Sequence, residues 1–85
     1  MSYYYQKLER DLLSVLGGVG SLGSSEAHEI QTYVDAGEYG LCLETICAVL
    51  KQKQRPVSVE TYLNIVALGE SMDVDSTWWL GLEVQ

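Results

Sequence analysis

The chain has 85 residues, a formal net charge of −7, and 47% apolar residues. That length makes one domain, and the apolar content supplies a core and excludes a disordered tail. The acid excess excludes a surface built to neutralise phosphates, so direct nucleic-acid binding is not expected; a basic protein partner is compatible, since opposite fields steer association.

From Tyr3 to Leu16, Tyr5, Leu8, Leu12, Val15 and Leu16 repeat at the three-four spacing of one helix face. The paired Gly17-Gly18 predicts a stop, because glycine weakens helix continuation. Residues 17–25, with four glycines and three serines, read as a flexible loop that Val19 and Leu22 tack to the core. Ser24 or Ser25 is the expected cap of a second helix, with Glu26 and Glu29 at its positive end and Ala27, Ile30 and Val34 as its buried stripe. Gly37 supplies a left-handed stop.

A third helix is expected from about Glu38 to Lys53. Tyr39, Leu43, Ile46, Cys47 and Leu50 line one face, widened by Cys42 and Val49, while Glu44, Ala48 and Lys51 lie opposite. As the most apolar helix it should be central. Pro56 punctuates the next loop, Ser58 caps a fourth helix, and Val59, Tyr62, Leu63 and Val66 are its expected buried face. Gly69 or Glu70-Ser71 ends it, and Asp73 or Asp75 caps a short last helix containing Trp78, Trp79 and Leu82. Of the two adjacent indoles, one is expected inside and one available outside, being 100° apart around a helix. No segment alternates like a half-buried strand, so the expected fold class is all-α: a compact bundle of four helices plus a short C-terminal fifth.

The residues give little support to chemistry. Cys42 and Cys47 are five apart, about 140° around a helix, which disfavours a disulfide and predicts buried free thiols. His28 is the single histidine and flanks the second helix. No metal, cofactor or catalytic residue is expected. Gly17-Gly18-Val19-Gly20 lacks the Lys-Ser/Thr of a phosphate loop. The carboxylates lack the alternating spacing of a calcium loop. Asp75-Ser76, the single Asp-Ser pair, is too near the C-terminus to serve as an acyl-carrier attachment site. No apolar run suits a membrane span, and Met1-Ser2-Tyr3-Tyr4-Tyr5 lacks a basic-then-apolar leader, so the expected location is cytoplasmic. One constellation suits a partner. Glu26, Glu29 and Tyr33 form a ridge at i, i+3, i+7, and Asp35 and Glu38 flank the turn that follows, beside Tyr39. Acids around aromatic anchors fit a basic protein surface.

The stretch Tyr33-Val34-Asp35-Ala36-Gly37-Glu38-Tyr39-Gly40-Leu41-Cys42-Leu43-Glu44-Thr45-Ile46-Cys47 resembles a segment of the MafI-type immunity proteins. The spacing of Pro56-Val57-Ser58, Leu68-Gly69, Met72-Asp73-Val74-Asp75 and Trp78 is similar too, so the resemblance spans roughly Ile30 to Trp79. Cys42 stands where alanine is expected, a small-for-small exchange, and the Tyr-rich first helix lies outside the likeness. The resemblance implies a small bacterial protein that is not an enzyme. It would bind and neutralise a cognate toxin C-terminal domain, of a contact-dependent or polymorphic system, in the cytosol. The isolated domain is expected, separately from the resemblance, to be a monomer or weak dimer. Many such toxins attack nucleic acid and are basic, which suits the acidity here. The competing expectation is an acidic helical adaptor or regulatory module that binds a cellular protein.

Overall fold

A computed structural model describes residues 3–20 and 22–85 of the chain, Tyr3 by its backbone alone. Met1, Ser2 and Ser21, which figured in the leader and loop expectations, lie outside the described residues. Five helices follow one another: α1 Tyr3–Val19, α2 Ser24–Asp35, α3 Tyr39–Gln52, α4 Val59–Ser71 and α5 Thr77–Leu80. α3 packs against all four of the others, α1 packs against α3 and α4, and the substantial packing of α2 is against α3. The fold is all-α with α3 central, as its composition predicted. Among the described residues the one piece of β pairing is an isolated parallel bridge between Val57 and Val84. There the Val57 amide donates to the Glu83 carbonyl and the Gln85 amide to the Val57 carbonyl, both at 2.9 Å, which ties the tail to the α3–α4 connection.

The core is one cluster. Leu8, Leu12, Val15 and Val19 enter it from α1, Ile30 and Val34 from α2, and Cys42, Leu43, Ile46, Cys47 and Leu50 from α3. Ile65 and Leu68 of α4 close it with Trp79 and Leu82. Fully burying one such side chain is worth about 1.5–3 kcal/mol, so this cluster, more than helix propensity, holds short helices in place. Both cysteines are free and buried within it.

Helix ends follow local chemistry in two places that the sequence marked. At the end of α2, Gly37 has φ +74°. Its amide donates to the Val34 carbonyl and the Glu38 amide donates to the Tyr33 carbonyl, the double bond of a Schellman stop. At the start of α4, the Ser58 hydroxyl accepts the Thr61 amide at 3.1 Å, satisfying a donor that the first helical turn leaves open.

Several expectations need correction. α1 does not stop at Gly17-Gly18 but continues to Val19, so the connection is shorter than residues 17–25. The left-handed residue that breaks the chain is Gly20, at φ +86°. Gly18 sits inside the helix because α4 crosses it: a Cβ there would collide with the Thr61 hydroxyl. Val19 and Leu22 do pack on the core. α2 is capped by neither Ser24 nor Ser25; Gly23 precedes it, and the Gly23 amide donates to the Glu26 carboxylate at 3.0 Å. Ala27 is exposed while Ile30 and Val34 are buried, because the substantial packing of α2 is against α3 and needs only a narrow stripe. α3 begins one residue later and ends one earlier than expected, with Glu38 and Lys53 as its flanking residues.

The largest correction concerns α4. Its buried residues are Thr61, Ile65, Leu68 and Gly69. Val59 and Leu63 face outward, at 54% and 59% exposure, and Tyr62 and Val66 are half-buried. α4 is apolar around most of its circumference, so periodicity did not select a face; contact with Gly18 on one side and Trp79 on the other did. Gly69 lies within the helix, which runs on to Ser71. α5 ends at Leu80 and so does not contain Leu82, which is nonetheless buried. The Asp75 carboxylate accepts both the amide and the hydroxyl of Thr77, at 2.9 and 2.8 Å. Trp79 is buried and Trp78 half-buried, as the helical offset of adjacent residues predicts.

Candidate partner-binding surface

The end of the molecule formed by the start of α1 and the α2–α3 turn brings acids and tyrosines together. The Schellman turn at Gly37 folds α3 back sharply and sets Tyr39 at its mouth. From the other side, α1 delivers Tyr5, whose ring centroid lies 6.4 Å from that of Tyr39 and 5.6 Å from that of Tyr4. Tyr5, Glu9, Val34, Asp35, Ala36, Gly37 and Tyr39 line an open groove here. Its charged residues are Glu9 and Asp35, and no Lys or Arg lines it. Tyr5 is 49% exposed, and its ring combines an apolar face with a polar hydroxyl.

A second groove runs along the other flank of α2. Glu29, Glu44, Thr45, Ala48, Val49, Gln52 and Trp78 line it, again with two carboxylates, an aromatic ring and no cation. The available indole of the Trp pair therefore belongs to this groove, in company with Glu29.

The five sequence-derived residues fall into different settings. Asp35 lines the first groove and Glu29 the second, because they lie about 120° apart around α2. They do not form one edge. Glu38 is exposed at the start of α3, between Gly37 and Tyr39 of the first groove. Tyr33 is half-buried and packs on the core, so much of its ring is structural. Glu26 is engaged at home: it accepts the Gly23 amide and pairs with Lys53 at 3.2 Å. The Gly23 hydrogen bond, more than Lys53, holds its carboxyl below the ordinary carboxylate range. Asp35 accepts a hydrogen bond from the side-chain Nε2 of Gln31 at 2.9 Å, which steadies it.

Tyr5, Glu9 and Glu44 were missed in the sequence. Each joins a groove through a tertiary approach that no local pattern encodes, although Glu9 follows Tyr5 at i+4 on the flank of α1. His28 is exposed, as expected. Among the described residues, no group of three or more His, Cys, Asp or Glu side chains is placed to hold a metal ion, and no helix is long and apolar enough to cross a membrane. The two thiols are poor nucleophiles, since burial raises both to about 11.

Fold and surface together define a small all-helical domain whose recognisable features are open acidic–aromatic grooves. No protein-family model, curated protein or solved structure matches the chain.

Proposed function

We propose that the protein is an immunity-type inhibitor: it binds a basic, nuclease-type toxin domain in the bacterial cytosol and neutralises it by occupation, without turnover. The observation that carries this reading is the pair of grooves flanking α2, each lined by two carboxylates and no cation, with two tyrosines in the first and Trp78 in the second. A toxin that handles nucleic acid presents Lys and Arg to phosphates, and an acidic surface with aromatic anchors competes for that same patch. The net charge of −7 raises the rate of encounter, while desolvated rings and charge pairs at the centre of the contact set its lifetime. The resemblance of residues 33–47 to MafI-type immunity proteins supports the same reading.

The test is co-expression with a toxin domain, taken from any toxin reading frame found to neighbour this one. Growth should be rescued from that toxin and from no unrelated one, and the purified pair should form a stoichiometric complex. Because Asp35 and Glu29 occupy different grooves, single reversals Asp35→Lys and Glu29→Lys report which groove is used. The reading fails if both variants, folded, still bind at unchanged rates at low salt. It fails equally if a trace of the protein clears a large excess of toxin.

A further inference from the structure

The apolar line that the sequence assigns to the core of α4 is on its outside. Val59, Leu63, Val66 and Glu70 follow one another at i, i+4, i+7 and i+11, one face of a helix. Val59 and Leu63 are more than half exposed, Val66 is half-buried, and Glu70 is exposed. The opposite side of the same helix, Thr61, Ile65, Leu68 and Gly69, does the packing. An exposed apolar side chain taken singly needs no explanation; Val59 and Leu63, adjoining on a helix whose inner face is already satisfied, make a ridge with room for a partner.

The charges around the ridge say which partner. Residues 56–85 contain five acids, Glu60, Glu70, Asp73, Asp75 and Glu83, and no Lys, Arg or His. Lys7 on α1 shares an open cleft with Asn64, Ala67 and Ser71 of α4 and is bound to Asp11 at 2.8 Å, and Lys51 of α3 is committed to the Thr77 carbonyl at 2.8 Å. A second copy fits poorly. Crossing two α4 helices in parallel sets Glu60 and Glu70 against their own counterparts. Crossing them antiparallel lays Glu70 on the Val59–Glu60 end of the copy. Both arrangements pay in like-charge contact or in a buried, unpaired carboxylate.

We infer that the outer face of α4 is a docking surface for an amphipathic helix of another protein, with an apolar ridge set against Val59 and Leu63 and basic residues against Glu60 and Glu70. This is helix-on-helix recognition with the charge pattern fixing register and choice of partner. It stands on α4 alone and does not depend on the toxin reading, which rests on the two grooves beside α2.

The experiment titrates the 15N-labelled full chain with a synthetic Leu/Lys amphipathic helix of about 14 residues, long enough to lie along α4, and with a Ser/Lys peptide of equal charge as control. The Leu/Lys peptide should shift amides from Val59 to Glu70 and the control should not. Leu63→Ser and Glu70→Lys, both at exposed positions and checked for unchanged spectral dispersion, should each weaken binding by roughly tenfold. The inference is overturned if shifts centre on Asp35 and Glu38, if the Ser/Lys peptide binds equally well, or if neither variant weakens binding. A dimer in sedimentation that Leu63→Ser dissociates also overturns it, because the occupant would then be a second copy.

Discussion

The indole of Trp79 occupies the space that a side chain on Gly69 would need. Three of its ring carbons lie within contact of where a Cβ would stand, and the ring is itself only 4% exposed. α5 is a single short turn, and this lock of ring on bare helix backbone fixes it to α4.

Gly69→Ala should therefore destabilise the fold by about 1–3 kcal/mol, the usual cost of overfilling a packed site, despite the better helix propensity of alanine. Gly18→Ala should also destabilise, by displacing the Thr61 hydroxyl from its 3.1 Å bond with Ser58. Gly17, one residue away, has open space around it, and Gly17→Ala should add about 0.5 kcal/mol. Thermal melts of the three variants check opposite signs at adjacent glycines.

Ile46 lies at the centre of α3 and is 1% exposed. Ile46→Ala should cost about 2–4 kcal/mol through the cavity it leaves, a large share of what a domain this small has in reserve. Urea denaturation should show the loss as a lower midpoint at an unchanged slope. An unchanged midpoint means α3 is not the organising helix.

Alkaline stability should depend on the thiols. Burial holds Cys42 and Cys47 protonated to about 11 in the fold, whereas an unfolded thiol ionises near 8.5. Between those values the unfolded chain has released protons that the folded one keeps, so their contribution is complete below the ordinary thiol range and falls as pH rises. Melting temperature should decline from about pH 8.5 upward, and the decline should be shallower in Cys47→Ala. Both thiols should resist alkylation until the chain unfolds.

The acid side has the opposite sign. Glu26 and Asp75 sit below the ordinary carboxylate range because the amides of Gly23 and Thr77, respectively, donate to them. Their contributions are complete above the unfolded carboxylate pKa and are lost as pH falls through the folded values. Glu26→Gln should melt below the parent at neutral pH and converge with it in acid.

Much of this architecture is written locally. Gly37 and Ser58 mark helix ends by backbone and side-chain chemistry that acts within a few residues, and both do in the structure what their types require. The three-four spacing of α3 selects its inner face because polar residues occupy the other side. The same logic failed in α4, where Val59, Leu63 and Ile65 are equally apolar and the choice among them is made by Gly18 and Trp79, distant in sequence. Gly18 and Gly69 read as breakers because their reason for being small is a neighbour on another helix. The candidate surface was half legible: Asp35, Glu38 and Tyr39 belong to one turn, but the approach of Tyr5 and Glu9 from α1 is tertiary. Glu26 shows the converse, an acid that looks available in the sequence and is committed to Gly23 and Lys53 in the fold.

The one-sided seating of α2 has a consequence for how the molecule breathes. A helix whose substantial packing is against one neighbour, through Ile30 and Val34, should open at a free energy below that of global unfolding while the α1, α3 and α4 core stays intact. Its amides should exchange with solvent deuterium ahead of those of α3, as a unit bounded by Gly20 and Gly37. Since α2 contributes Val34 and Asp35 to one acidic groove and Glu29 to the other, a partner seated in either should slow exchange along α2.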